Sequence, residues 1–446
     1  MTARTASTEP PPARVRESTG YPLADHPLRV ALTNEVHARP PEVLKAPVRA
    51  TMLAMLSGEQ AGEAERRHLE QLCDWAGIAR PAAGATHFSG AFGSFRLKWE
   101  RHTEFSTWTV FRPGAVPDPF ADPALAALPR DWVGGLPGDL LVGIHLAVVQ
   151  GDRDSFESGR LAAVFGSDGY IGSLVSGGKA TAWTDMRIHG DGFSRILVAD
   201  HAMTGNQAGR VVQRLMEIET YRMTALLALP VARTVLPRVA AIEQGLLELA
   251  QRTTALRDLA DEREALDRLT RLSAETERLA AETAYRFGAA RAYHQLVERR
   301  IEELREVRIE GLPTLAEFMA RRLTPAVRTC EAAQARIDAL SQRMARASNL
   351  LRTRVEIAVE GQNAELLRSM DRRAQLQLRL QETVEGLSVV AISYYLIGLV
   401  GYAAKGLKGA GLPVDPDVAA GLMIPVVLAL VWSGVRRIRK VLAGGH

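Results

Sequence analysis

Two uncharged stretches near the C-terminus constrain this chain more than any other feature. Leu387–Ala404 and Val418–Val435 are each eighteen residues long, and thirteen residues separate them. A helix of roughly 17–25 apolar residues crosses the hydrocarbon core of a bilayer. Pro425 lies inside the second stretch, where a helix in lipid tolerates it as a kink. The pair therefore predicts a transmembrane helical hairpin that contacts the lipid bilayer, rather than a buried hairpin of a soluble domain.

Basic residues flank both stretches and set the predicted orientation. Four precede the first stretch and four follow the second: Arg368, Arg372, Arg373, Arg379, Arg436, Arg437, Arg439 and Lys440. Because basic residues remain on the cytoplasmic side, we expect both termini in the cytoplasm and loop 405–417 outside. Residues 436–446 then form a basic cytoplasmic tail. The N-terminal residues 1–20 are polar and rich in proline, which predicts a disordered tail and no secretory signal.

Composition excludes several classes of function. Lysine and arginine number 55 against 51 acidic residues, so the net charge of +4 gives no reason to expect a nucleic-acid partner. The two cysteines, Cys73 and Cys330, have no spacing typical of zinc or of a disulfide framework. No glycine-rich nucleotide motif and no credible catalytic triad occurs. We therefore expect no cofactor and no enzymatic activity.

The sequence of the region 21–203 predicts a cytoplasmic α/β domain. Gly62–Gly77 has helical spacing, and the aromatic-rich segment Thr86–Pro113 alternates in a way that predicts two strands. Further alternating segments follow, and Gly177 with Gly178 predicts a hairpin turn. This order favours a mixed, largely antiparallel sheet. The predicted fold class is therefore α+β, with long helices and the membrane hairpin after the sheet.

The region 204–386 is rich in strong helix formers and predicts long antiparallel helices ending in a stalk. Leucines repeat at intervals of seven in a coiled-coil-like pattern. Pro230 and Pro237 are expected to end or kink one helix, and Gly311 with Pro313 to form a turn between two others. The glutamates of these helices are expected on solvated faces; they include Glu217, Glu219, Glu243, Glu248, Glu262 and Glu264.

Two sets of polar residues are candidate ligand, anion or metal sites. Glu35, His37 and Arg39 alternate, so an extended strand would place all three side chains on one face. They could bind a metal or an anion, or do acid–base work; alternatively, Glu35 and Arg39 form a structural ion pair and His37 bonds the backbone. A second alternating run opposes Leu97, Trp99 and Phe105 in part, and its members are Arg96, Lys98, Glu100, His102 and Glu104. It predicts either a polar sheet face or a metal site at His102 and Glu104.

Three segments of the chain resemble a proteobacterial family of uncharacterised, predicted membrane-anchored proteins. They are His26–Leu44 with its element NEVHARP, Tyr221–Arg233, and the segment TVEGLSVVAISYYLIGLVGYAAKG, which contains the element VEGLSVVAISYY. The resemblance covers nearly the whole chain and implies a bacterial inner membrane. It implies no activity.

The order of domains is also similar to that of CorA-type divalent-cation transporters, whose first span lines a pore in a pentamer. That family ends its first span in Gly-Met-Asn, whereas Gly401 is followed here by Tyr402 and Ala403. Lys405 and Lys408 in the loop would repel cations from the mouth of a ring. These departures place Mg²⁺ selectivity in doubt.

One stripe of small and hydroxylated residues follows the first span: Ser388, Ala391, Tyr395, Gly398, Tyr402 and Lys405. It could line a pore or pack against other helices. The architecture favours a homo-oligomer, joined through stalk and spans, that transports or gates an ion. The alternative is a membrane-tethered sensor or scaffold whose cytoplasmic domain binds a ligand or partner.

Overall fold

Nine strands form one open sheet. The computed structural model describes residues 26–30, 32–33, 40–118, 120–151, 158–166, 169–253, 259–410, 413 and 415–443. Within these residues the strands are β1 (Val48–Leu56), β2 (His87–Phe92), β3 (Phe95–Arg101), β4 (Ser106–Pro113), β5 (Asp139–Gln150), β6 (Ile171–Val175), β7 (Ala180–Thr184), β8 (Ser194–Asp200) and β9 (Val307–Arg308). Their order across the sheet is β2-β3-β4-β1-β5-β8-β7-β6-β9.

Neighbouring strands are antiparallel except for β5 and β8, which are parallel. This confirms the mixed, largely antiparallel sheet of an α+β fold. The prediction of two strands in Thr86–Pro113 was wrong, because the segment forms three. Gly93 turns the chain between β2 and β3 with a φ of 66°, and His102 N donates to Phe105 O (2.8 Å) between β3 and β4. The alternation of apolar and polar residues continues through both turns, so the sequence pattern does not show where one strand ends and the next begins.

The helices follow the strands and also lie between them. They are α1 (Gly62–Ala76), α2 (Arg130–Gly134), α3 (Ser158–Phe165), α4 (Gly205–Leu226), α5 (Ala228–Thr253), α6 (Leu259–Leu304), α7 (Leu315–Arg322), α8 (Thr324–Gly409) and α9 (Pro416–Ala443). Gly311, with a φ of 81°, lies in the predicted turn before α7. Pro237 lies inside α5, and α4 ends at Leu226, ahead of Pro230.

Helix α4 begins at a capping box. The Thr204 side chain accepts from Gln207 N, and the Gln207 side chain accepts in turn from Thr204 N. This pair satisfies backbone donors that the first turn leaves unpaired. It fixes where α4 starts and hence which of its side chains face the sheet.

Both faces of the sheet are covered by apolar side chains. On one face α4 packs against the central strands in a core that includes Met52, Ile144, Leu146, Val198, Val211, Leu215 and Ile218. On the other face α1 covers β1, β3 and β4 in a core that includes Leu69, Leu72, Leu97, Trp99 and Trp108. Helix α3 covers the neighbouring part of that sheet through Leu161 and Phe165.

The prediction that the helical glutamates occupy solvated faces was wrong for several of them. Glu219 and Glu262 are buried, with 4% and 8% exposure. Glu219 pairs with Arg222 (2.5 Å), and Glu262 pairs with Arg354 (3.3 Å). Arginine partners three residues along the same helix, or on a helix distant in sequence, make such burial tolerable.

The chain divides into two compact units. The first comprises Met1–Glu248 and Arg271–Ala345 and contains the sheet; the second comprises Leu249–Thr270 and Arg346–His446. In the described residues three helical stretches are long and apolar enough to cross a membrane, and they are Gly205–Thr253, Leu315–Gly409 and Pro416–Arg437. The most apolar window of the first is 33% buried against 11% in the other two.

His145 on β5 is buried as a neutral side chain. Its Nδ1 lies 2.9 Å from Thr51 Oγ1, and its ring stacks on Phe193 with centroids 4.0 Å apart. Burial lowers its pKa from 6.5 to about 4, while Asp191 raises that pKa and Arg195 lowers it further. The unfolded chain therefore binds a proton that the folded chain excludes.

We expect the first unit to lose about 2 kcal/mol of unfolding free energy between pH 7 and pH 5 through His145 alone. The contribution is fully present above pH 6.5 and is lost as the pH falls toward about 4. Denaturant unfolding followed by tryptophan emission measures it. His145→Gln, which can still bond Thr51 but does not titrate, should flatten the pH dependence, and equal slopes for the two proteins would contradict the assignment.

Candidate functional site

A cavity of about 300 Å³ lies in the first unit between the sheet and α4. Its apolar walls come from the segment before β1, from strands and turn of the sheet, and from α4; they are Leu44, Met52, Phe105, Phe111, Val212 and Met216. Its polar lining includes Glu42, Lys98, Glu100, His102, Gln213, Glu217 and Arg300. Charged groups thus meet an apolar chamber of the size that holds a small molecule.

Strand β3 supplies the charges on the sheet side. Its alternation sends Leu97 and Trp99 into the core under α1, while Lys98 and Glu100 face the cavity. Lys98 Nζ lies 2.9 Å from Glu100 Oε1 and donates to the Pro40 carbonyl at 3.0 Å. The predicted polar face of this strand is therefore present, and it is turned toward the cavity.

Helices α4 and α6 supply the charges on the opposite side. Arg300 Nε donates to Glu217 Oε2, and Gln213 Nε2 donates to Glu217 Oε1 at 2.7 Å. Arg300 Nη1 also lies 3.0 Å from Glu303 Oε2. Gln213 Oε1 is buried and accepts no hydrogen bond from any described residue. This side therefore presents a neutralised arginine and a buried acceptor.

Tyr221 is one of the aromatic residues that line the cavity. Burial first, and then the charges of Glu217 and Glu100, raise its pKa above the usual range, against a smaller opposite effect of Arg300. Its ring stacks on Tyr293 with centroids 5.6 Å apart. A second, shallower recess of about 440 Å³ shares Tyr221 and His102 with the cavity. These two side chains therefore stand between the cavity and the outer recess.

The backbone of the segment before β1 lies close to the backbone of α4 beside the cavity. Leu44 N donates to Gly205 O at 3.1 Å, so the segment before β1 runs along the start of α4. A Cβ built on Gly209 would lie 1.7 Å from the carbonyl oxygen of Glu42. Only glycine at position 209 allows Glu42 to reach the lining.

The predicted site residues fall in different places. Glu35, His37 and Arg39 lie outside the described residues, although the next residue, Pro40, bonds Lys98. His102 lines the cavity and stacks on Phe105. Glu104 instead lies in the turn before β4 and bonds Arg286 on α6 at 2.6 Å.

A metal site at His102 and Glu104 stays a prediction without structural support. No group of three His, Cys, Asp or Glu side chains that could hold a metal occurs in the part of the chain that the structure describes. The alternation that paired the two residues ends with β3 at Arg101.

The stripe on the first predicted span is exposed in the single chain. Tyr395 and Tyr402 are 71% and 76% exposed, and the other four stripe residues, Ser388, Ala391, Gly398 and Lys405, are exposed as well. Within the two apolar stretches the buried side chains are others, Ser393, Ala404, Val427 and Val431. The stripe therefore does not pack the hairpin itself, and both a pore lining and a contact with another molecule stay predictions.

Comparison with known families gives a match over most of the chain. The model of the family described as "Protein of unknown function (DUF3422)" matches residues 24–442. The chain belongs to this family. No curated protein and no solved structure matches. The resemblance to an uncharacterised family is thereby borne out, whereas no likeness to CorA-type transporters is shown.

Sequence reasoning missed the part of this family member's cavity that comes from helices. Glu217 looked like one of many solvated glutamates, and nothing local marked Arg300, which is 83 residues away. One signal was available: Gly205 and Gly209 are spaced by four on an otherwise strong helix, which is typical of a close backbone approach.

Proposed function

We propose that this protein is a membrane-tethered binding protein whose first unit holds a small ligand in the cytoplasm. The C-terminal hairpin α8–α9 crosses the bacterial inner membrane twice and leaves both termini in the cytoplasm. The observation that carries the proposal is the cavity between the sheet and α4. It serves as a ligand chamber, and the hairpin holds it at the membrane.

The argument for a ligand rests on what burying charge costs. Ionised groups removed from water lose several kcal/mol of solvation each, and a pair of apolar residues would pack such a space as well or better. Two ion pairs, Lys98–Glu100 and Arg300–Glu217, nevertheless border an apolar chamber of about 300 Å³. Ligand sites typically have apolar walls and a small number of polar groups that point toward the ligand.

The argument for two spans rests on burial and on charge. The apolar windows in Leu315–Gly409 and Pro416–Arg437 are 11% buried, whereas the window in Gly205–Thr253 is 33% buried, and α4 within that stretch packs on the sheet. Arg368 to Arg379 precede the hairpin, and Arg436 and Arg437 follow the second stretch.

A stabilisation screen on the purified full-length protein tests the binding function. Tryptophan emission reports thermal unfolding, and each compound is compared on the parent and on Thr109→Phe, which places a ring in the cavity. A true ligand at a hundredfold its Kd should stabilise the parent by about 2.7 kcal/mol and the variant far less. Equal stabilisation of both proteins by every active compound would remove the cavity as the site.

Ion transport or gating by a homo-oligomer is the second candidate. The exposed stripe with Tyr395, Tyr402 and Lys405 favours it, because the hairpin leaves this face for another molecule. Light scattering of the detergent-solubilised protein, with the detergent mass subtracted, gives the protomer count. A ring of four to six is the expected result for a pore and would justify flux assays on Tyr402→Ala; a monomer would end this candidate.

A further inference from the structure

We infer that the cavity between the sheet and α4 takes a small organic cation, a protonated amine on an apolar body. The inference rests on the proposed binding function and specifies the chemistry of its ligand. Three observations support it: the cationic side chains of the lining are paired with carboxylates, one buried acceptor has no hydrogen-bond donor among the described residues, and aromatic rings form part of the walls.

Both cationic side chains of the lining are neutralised within the protein. Lys98 bonds the Glu100 carboxylate (2.9 Å) and the Pro40 carbonyl (3.0 Å). Arg300 bonds Glu217 and also lies 3.0 Å from Glu303. An anionic ligand could use either cation only by competing with a carboxylate already in place. Anion binding is therefore disfavoured.

Carboxylates outnumber cationic side chains around the chamber. Three carboxylates line it, Glu42, Glu100 and Glu217, against the two cations. Glu42 pairs with Arg96 at 3.5 Å and accepts a hydrogen bond from Ser89 Oγ at 2.5 Å, but neither partner lines the cavity. The buried Gln213 Oε1 is the acceptor that no described residue satisfies, and a buried unpaired acceptor is costly unless a donor reaches it. An ammonium group supplies that donor together with a matching charge.

The walls suit an apolar body that carries a positive charge. Phe105 and Phe111 line the chamber on the sheet side, and Tyr221 lines it on the helix side. The faces of aromatic rings attract cations through their quadrupole. Burial raises the pKa of Tyr221, and Glu217 and Glu100 raise it further against an opposite effect of Arg300. Tyr221 and His102 line both the cavity and the second recess.

Three probes with one body and different charges test the inference: benzylammonium, benzyl alcohol and benzoate. Each is titrated by calorimetry into the full-length protein in detergent, with empty micelles as the blank. We expect saturable binding of benzylammonium, with the other two at least about tenfold weaker, since a hydrogen bond to a charged group changes affinity by that order.

Substitutions of the two carboxylates that pair with Arg300 form a matched pair. Glu217→Gln removes a carboxylate of the lining and leaves Arg300 paired with Glu303. Glu303→Gln removes a carboxylate that binds the same arginine but does not line the cavity. We expect the first to weaken benzylammonium binding about tenfold or more, and the second to change it less than about threefold. Thermal unfolding verifies that both fold.

The outcomes separate this inference from the binding function itself. Tighter binding of benzoate or of benzyl alcohol would overturn the cation class and leave the cavity as a binding site. Equal losses in both variants would overturn the role of the lining carboxylates. Failure of benzylammonium to bind would overturn the inference, while the stabilisation screen with Thr109→Phe decides the binding function separately.

Discussion

Gly209→Ala is expected to destabilise the first unit by about 3 kcal/mol, at the upper end of the cost of overpacking a core. The added methyl would lie 1.7 Å from the carbonyl oxygen of Glu42, a backbone atom that cannot rotate away. Either α4 or the segment before β1 must move, and the rim of the cavity moves with it. Denaturant unfolding followed by tryptophan emission measures the loss, because five of the six tryptophans lie between residues 75 and 183.

Gly288→Ala is the matched control for this substitution. Gly288 lies in α6 of the same unit, and a Cβ there meets no heavy atom within 4 Å among the described residues. Alanine in a helix is favoured over glycine by about 1 kcal/mol, so this variant should be slightly more stable than the parent. If both variants were stabilised alike, the close approach of Glu42 to α4 would be wrong.

A cysteine introduced at Ala410 is expected to react with an impermeant maleimide only from outside the cell. Ala410 follows α8 in the predicted external loop, and Gln381 lies in α8 ahead of the first predicted span. Gln381→Cys should therefore react only from the cytoplasmic side. Labelling of intact spheroplasts and of inverted vesicles measures both. The contrast should be nearly all-or-none, because a bilayer excludes the charged reagent.

The native cysteines give little background in this experiment. Cys73 and Cys330 are 0% and 2% exposed, and burial raises the pKa of Cys73 to about 11. Thiols react as thiolates, so neither native cysteine competes at neutral pH. Labelling of both introduced cysteines from the same side would show that the hairpin does not cross the membrane twice, and the opposite pattern would reverse the predicted orientation.

The candidate site shows where prediction from sequence ends. Alternation in β3 correctly placed Lys98 and Glu100 on the face opposite Leu97 and Trp99, because a strand fixes side-chain direction by position alone. The same alternation failed for Glu104, since a tight turn after Arg101 reverses the chain. When the turn residues keep the same apolar–polar alternation as the strands, the alternation does not reveal the turn.

The chain's own sequence determined its α+β class, the helices after Gly205, and two C-terminal stretches apolar enough for a membrane. These are local properties, set by periodicity, helix propensity and hydropathy within windows of ten to twenty residues. Only the tertiary structure decided that Glu217 meets Arg300 and that Glu42 reaches α4 over Gly209. Those contacts join segments 83 and more residues apart, and they depend on how α4 and α6 pack on the sheet. Packing of this kind is a property of the whole unit and leaves no signature in any short stretch of residues.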